Sequence, residues 1–123
     1  MPGSAVKFTK IDIITKPSKL EDLKVALNSI GISGMTVSNV MGYGMQKGNQ
    51  AHYRGVEFDV TFLPKVKLEI VVCKVPVNVV VDTAMKVLKT GAIGDGKIFI
   101  HDVEDIVKVR TGETGYDALQ DVE

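Results

Sequence analysis

No tryptophan and a single cysteine, Cys73, occur in the 123 residues. One thiol makes no internal disulfide, and without a Cys/His cluster the chain offers no structural zinc site. Aromatic residues amount to 6% of the sequence, so the core has to be aliphatic. An excess of one charge is missing too. Fifteen Lys and Arg balance fifteen Asp and Glu, which argues against nucleic-acid binding by bulk phosphate neutralisation and confines any basic site to a local cluster. No apolar run approaches the roughly 20 residues that span a bilayer, and no charged leader precedes an apolar segment. The expected location is cytoplasmic, without membrane insertion.

The 45% hydrophobic and 24% charged residues are the composition of a single globular domain. Residues 1–7 carry no pattern and read as an N-terminal tail or an expression remnant; residues 8–123 form the domain, with a loose polar tail after about residue 113. Phe8 to Ile14 alternates as a mostly buried strand does, and Pro17 ends it. Ser18-Lys19-Leu20-Glu21 has the spacing of a capping box. Leu20, Leu23, Leu27 and Ile30 then form one helical stripe, closed by Gly31. Met35 to Met41 reads as a strand with Met35, Val37 and Met41 inward. Phe62 to Cys73 is a strong strand. Pro76 to Lys89 suits strand by its valines and helix by its length and ends; the ends favour helix. Lys97 to Val103 is a further strand, and Ile106 to Arg110 alternates enough for a short additional one.

The order β-α-β, long loop, β-α-β predicts an α+β, ferredoxin-like (βαββαβ) antiparallel sheet with two helices on one face. Aliphatic residues on both sides of the strands imply that another subunit covers the other face. The loop from Gly42 to Gly55 holds four glycines and no aliphatic period. Loops of that length inside small domains usually carry function.

Gly91 to Lys97 spells Gly-x-x-x-x-Gly-Lys, but Ile98 stands where a phosphate-binding P-loop places Ser or Thr, and the segment leaves a helix to enter a strand rather than the reverse. The Walker reading fails. Gly91, Gly94 and Gly96 still allow a backbone that approaches an anion closely, with Lys97 adding charge; a tight turn with a solvated lysine explains them equally well. Lys108 and Arg110, two apart, project from one face if they lie in a strand, and would matter only if assembled with Lys97. A protected strand edge is the plainer account. His52 sits in the long loop, and His101 and Asp102 point to opposite sheet faces. Cys73 ends an apolar strand and reads as a small buried hydrophobe. A binding protein fits these residues better than an enzyme.

Five linked motifs carry a resemblance. They are Gly31-Ile-x-Gly34-Met35-Thr36-Val37, Gly42-x-Gly44-x-Gln46-Lys47-Gly48, Phe62-Leu63-Pro64-Lys65-Val66-Lys67, Thr90-x-x-x-Gly94-Asp95-Gly96-Lys97-Ile98-Phe99-Ile100-x-x-Val103 and Arg110-Thr111-Gly112-Glu113. Over Phe8 to Glu113 the chain resembles the PII nitrogen-regulatory proteins, the GlnB/GlnK group. The resemblance implies a homotrimer that binds ATP or ADP in clefts between subunits, and a flexible T-loop, about residues 44–62, that docks on targets. By similarity the nucleotide meets Thr36, Gly44, Met45, Gln46, Val71, Gly94, Asp95, Gly96, Lys97, Lys108 and Arg110, the last two from the neighbouring subunit. With Mg2+ and ATP, 2-oxoglutarate joins at Gln46, Lys47, Gly48, Lys65 and Gly94; Gln46 contributes an oxygen to the metal and Lys65 pairs with the distal carboxylate. Tyr53, Arg54 and Gly55 at the loop tip match residues that contact a membrane transporter, an ammonium transporter first, with a transcription regulator or metabolic enzyme as other targets. The protein would then be membrane-associated only through that transporter.

Departures from the family pattern also speak. Phe58 occupies the position of the modified tyrosine and Val56 that of a phosphorylated residue, so covalent control at those two places is excluded. Met45 replaces an Arg at the terminal phosphate and Lys108 replaces another; a lysine lacks the planar fork, which predicts weaker discrimination of ATP from ADP. Ala92 stands in place of a frequent Lys. Three alternatives remain open. One is a nucleotide-using phosphotransferase with His101 as nucleophile. Another is an adenylate sensor of a non-ammonium transporter that ignores 2-oxoglutarate. The third is an RNA-binding module, disfavoured because Phe99 is almost alone as a candidate stacking ring.

Overall fold

The computed structural model describes residues 7–45 and 60–120. Period-two apolar runs build the sheet: β1 (Phe8–Thr15), β2 (Thr36–Met45), β3 (Val60–Val72) and β4 (Lys97–Val103). They lie in the order β2-β3-β1-β4, and each neighbouring pair is antiparallel. Helices α1 (Leu20–Ser29) and α2 (Val77–Leu88) link β1 to β2 and β3 to β4, giving the expected ferredoxin-like α+β fold. The register Ile11↔Ile70 and Ile13↔Leu68 sets four side chains on the helix-covered face, where they meet Leu23, Leu27, Val80 and Ala84. All eight are buried and form the aliphatic core. Pro64 is accommodated because β1 pairs with β3 only from Val66 onward, so no strand on that side asks for its missing N–H.

Both helix ends follow local chemistry, one of them differently from expectation. Gly31, at φ 99°, closes α1 in a Schellman turn, with Gly31 N–H donating to the Asn28 carbonyl and Ile32 N–H to that of Leu27. The capping box does not form. Pro17–Lys19 is a 3-10 turn, α1 begins at Leu20, and no side-chain cap is made. Pro17 pre-sets the tight turn, so Ser18 lies inside it instead of ahead of the helix.

Four further expectations are corrected. Val37 and Met41 are exposed, at 41% and 64%, because β2 is an edge strand whose far half reaches beyond the helices; Met35 does pack against the core. The face away from the helices is not simply aliphatic: Lys10, Asp12, Glu69 and His101 form an ion-paired band across its middle. Ile106 to Arg110 is no strand; one isolated bridge, Val107↔Thr114, closes a turn there. The residues after 113 are not a loose tail through residue 120, since α3 (Gly115–Leu119) folds back and buries Ala118.

β2 and β3 stay paired out to Met45↔Val60, which extends the hairpin into the expected T-loop bounds. Gln46, Lys47, Gly48, Tyr53, Arg54, Gly55, Val56 and Phe58 lie outside the described residues.

Candidate functional site

The glycine loop is fixed by its own side chains and by the end of β1. Asp95 accepts hydrogen bonds from Thr90 Oγ1 at 2.6 Å, from Thr90 N–H at 2.7 Å and from Gly91 N–H at 2.9 Å. These bonds to the ionised form, the Thr90 hydroxyl foremost, lower the Asp95 pKa to about 2. Its carboxylate is thus spent on shaping the loop and is not offered to a ligand. The Asp95 carbonyl accepts from the buried Thr15 hydroxyl at 2.8 Å.

Gly94 and Gly96 have φ of 104° and 116°, in the region that favours glycine. At Gly96 a Cβ would stand 2.1 Å from the Ile14 carbonyl oxygen, so the loop lies directly against β1. A Cβ at Gly94 would instead enter the space before Lys16 and Lys65. Lys65 Nζ donates to the Gly94 carbonyl at 3.3 Å.

Around this loop opens a cleft of about 860 Å³ lined by Ile14, Lys16, Gly42, Tyr43, Lys65, Gly94, Asp95, Gly96, Lys97 and Phe99. The structure therefore brings together Lys65, Gly94, Asp95, Gly96 and Lys97 around one cleft. It adds Lys16, which the sequence reading missed. Lys16 follows the end of β1, whose last pairing with β4 is Ile14↔Lys97, so the ladder carries it past Lys97 to the glycine loop, a placement only that register reveals. Three lysines and glycine backbone make this half of the site anion-seeking. Among the described residues no group of three His, Cys, Asp or Glu side chains could hold a metal.

Thr36 and Val71 are elsewhere. They line a second cleft of about 600 Å³, with Gly34, Glu69, Cys73, Tyr116 and Gln120. On β3, Val71 is six residues beyond Lys65, about 20 Å at strand rise. Lys108 belongs to this second end, because its Nζ donates to the Gln120 carbonyl. Arg110 is exposed in the adjoining turn. Cys73 is only half-buried and borders the cleft rather than filling the core, since it follows the last paired residue of β3. One chain thus places the expected site residues in two groups at opposite ends of its sheet.

Between the two ends lies the ion-paired band. Lys10 Nζ is 3.0 Å from Glu69 and 3.5 Å from Asp12, and His101 Nε2 is 3.1 Å from Asp12 Oδ2. The Glu69 hydrogen bond, with Asp12 adding charge, holds the Lys10 ammonium above the ordinary lysine range. Asp12 is buried with one oxygen lacking a hydrogen bond. His101 borders neither cleft, which leaves the phosphotransferase reading without a nucleophile at the glycine loop.

The model of the family described as nitrogen regulatory protein P-II matches residues 8–113. The chain belongs to the P-II family. It is 51% identical over 110 residues to nitrogen regulatory protein P-II of Pasteurella multocida, covering 89% of this chain and 98% of that one. Against nitrogen regulatory protein P-II 1 of Escherichia coli it is 55% identical over 104 residues, covering 85% and 93%. Among solved structures, the Bacillus subtilis GlnK–ATP complex superposes with a TM-score of 0.79 at 41% identity, over 95% of this chain and all of that one. Arabidopsis thaliana PII bound to citrate gives 0.72 at 42% identity, over 92% of each chain. P-II proteins are signalling regulators and not enzymes. Within this P-II chain no described helix is long and apolar enough to cross a membrane.

Proposed function

We propose that this P-II protein is a cytoplasmic homotrimeric sensor that binds ATP or ADP where the glycine-loop half-site of one protomer meets the Thr36–Val71 half-site of the next. The observation that carries this reading is the separation of the two half-sites. Gly94, Gly96, Lys97 and Lys65 line an anion-seeking cleft, while Thr36 and Val71 line another about 20 Å away along β3, beside which Lys108 donates to the Gln120 carbonyl. A second copy brings the missing half. The ion-paired band and the half-exposed Phe99 on the helix-free face would then be covered by the same contact.

Citrate in the Arabidopsis relative is a small polycarboxylate, and the present cleft suits that chemistry. Lys65 and Lys16 stand ready for a distal carboxylate such as that of 2-oxoglutarate. Magnesium fits this site only as a companion of the nucleotide: the described lining is cationic and its carboxylate is occupied, so phosphate oxygens and the Gln46 amide oxygen would hold the ion. Bound there, it would supply positive charge that favours an oxo-acid beside the nucleotide.

Signalling follows from the hairpin. Gly42, Tyr43 and Lys65 line the cleft, and the same two strands run on to Met45↔Val60, from which residues 46–59 depart. A ligand that engages Gln46, next after Met45, selects among arrangements of the segment carrying Tyr53, Arg54 and Gly55, and so gates docking on a transporter, an ammonium transporter first. Calorimetric titration with ATP, with ADP, and then with 2-oxoglutarate in the presence of Mg2+ and ATP tests the reading. Nucleotide heat in all cases, and 2-oxoglutarate heat that disappears in Gln46→Ala, is expected. Heat from nucleotide without any from 2-oxoglutarate would reduce the protein to an adenylate sensor; none from either would refute the site.

A further inference from the structure

The helix-free face of the sheet carries its charges in one row. His101 on β4 stands opposite Lys10 on β1, Asp12 stands opposite Glu69 on β3, and Lys67 and Lys97 lie farther along the same face. β4 is an edge strand, so β1 is the only strand beside His101. The charged groups facing the imidazole are therefore Lys10 and Asp12, with Glu69 one strand beyond. Asp102, its chain neighbour, turns to the other face and pairs with Lys7 at 3.4 Å. Asp12 is the odd member of the row. Its side chain is 8% exposed, its Oδ2 meets His101 Nε2 at 3.1 Å, and its Oδ1 has no hydrogen-bond partner, since the Lys10 ammonium stands 3.5 Å off and is drawn to Glu69 at 3.0 Å. A buried carboxylate oxygen without a donor is costly to leave as it is.

Charge counting shows what relieves it. Lys10 balances one of the two carboxylates, Asp12 and Glu69; the other is balanced only when His101 is an imidazolium. With a neutral ring this row of four holds one net negative charge, and with a protonated ring none. Histidine is the side chain that exchanges its proton between about pH 5 and 8. The His101 side chain is 49% exposed in the single chain, so water supports either form. Phe99, half-exposed opposite Asp12, belongs to the same face, the one a second copy would cover. Covering it removes that water, and an unbalanced charge there becomes far more costly than on the open face.

We propose that His101 is a proton-linked lock on the contact between copies: it takes up a proton from solvent as its row is covered, pairs with Asp12 as an imidazolium, and so makes the assembly tighter in a mildly acidic medium. The proposal rests on the homotrimer reading above and adds to it a dependence on pH. The sign follows from the charge balance. A group protonated more fully in the assembled state than in the separated one stabilises assembly at low pH, and that stabilisation is lost as the pH rises through the range in which the covered ring gives up its proton. Because His101 borders neither cleft, the lock acts on assembly and leaves the ligand contacts themselves alone.

The test is sedimentation of the full chain at pH 6 and pH 8, at one urea concentration that populates both trimers and separated protomers. The wild-type dissociation constant is expected to be lower at pH 6 by about tenfold or more, the size of one charge-assisted hydrogen bond. His101→Gln keeps a hydrogen-bonding side chain that cannot take the proton, and should stay near the wild-type pH 8 value at both pH values. Asp12→Asn removes the charge that calls for the proton; it should be equally insensitive to pH, but tight. His52→Gln, at the only other histidine, should keep the wild-type dependence. A wild-type trimer equally firm at both pH values, or a pH dependence that survives in His101→Gln, overturns the proposal and leaves the trimer standing. A chain that stays single without urea at both pH values removes the homotrimer reading instead, and the lock with it.

Discussion

Replacing Gly96 by alanine should be the most damaging of the glycine substitutions, and its cost can be built from the contacts. The new Cβ would stand 2.1 Å from the Ile14 carbonyl oxygen and 3.1 Å from Thr15 Cα. Both belong to β1 backbone, so no side-chain rotation relieves the overlap. Holding a non-glycine residue at φ 116° adds strain of about 1–3 kcal/mol. Moving the loop away from β1 breaks the Thr15–Asp95 hydrogen bond and strands a buried hydroxyl, about 1–3 kcal/mol more. The sum, roughly 2–6 kcal/mol, is a large share of the ~5–15 kcal/mol that holds a domain together. Gly91→Ala has only the backbone strain, about 1–2 kcal/mol, because nothing lies within 4 Å of its Cβ. Gly34→Ala meets nothing within 4 Å either, and its φ is not in the left-handed region. Urea melts at one fixed protein concentration measure the series. Equal midpoints for Gly96→Ala and Gly91→Ala would refute the claim that the loop is pressed onto β1.

Other perturbations follow from the same contacts. Asp95 stays ionised in the folded loop down to about pH 2, whereas its unfolded carboxylate takes up a proton near pH 3.8; its contribution is therefore complete above that pH and fades between the two values. Asp95→Asn should flatten the acid limb of a melting-temperature profile in that window, and an unaltered limb would contradict the loop assignment. His101→Gln should leave ATP and ADP binding unchanged, because the imidazole contacts Asp12 and borders neither cleft; a loss of nucleotide turnover in that variant would revive the phosphotransferase alternative. Leu68→Ala, at a fully buried site, should cost about 2–5 kcal/mol in urea melts, against under ~0.5 kcal/mol for Val109→Ala, where the side chain is 98% exposed.

Local pattern made the four main strands, both long helices and the sheet class legible, because each rests on a repeat of two or of three to four residues. Gly31, Gly94 and Gly96 were legible as special backbone for the same reason. What escaped depended on pairings between distant residues. The Asp12–His101 contact needs the β1–β4 register, and the approach of Gly96 to Ile14 needs the same ladder. Lys108 and Arg110 carry strand-like alternation, yet Gly112 and Gly115 at φ 78° and 64° turn the chain back before a strand can pair. That reversal, set by glycines downstream, also gives the polar residues after 113 the packing that their composition did not announce. The separation of Lys65 from Val71 along β3 was likewise not visible in the motifs, which name residues without saying how far apart one chain holds them.

Co-expression of two differently tagged variants tests the central claim most directly. Lys97→Gln disables the glycine-loop end, and Arg110→Gln disables the other; each assembled alone should bind ATP weakly. If every cleft draws its two ends from different copies, every mixed trimer regains one intact cleft of its three, about a quarter of all positions after random mixing, and high-affinity ATP binding returns to the mixed trimers at one site per trimer. Mixed assemblies with no regained binding would place the whole site within one chain and contradict the account.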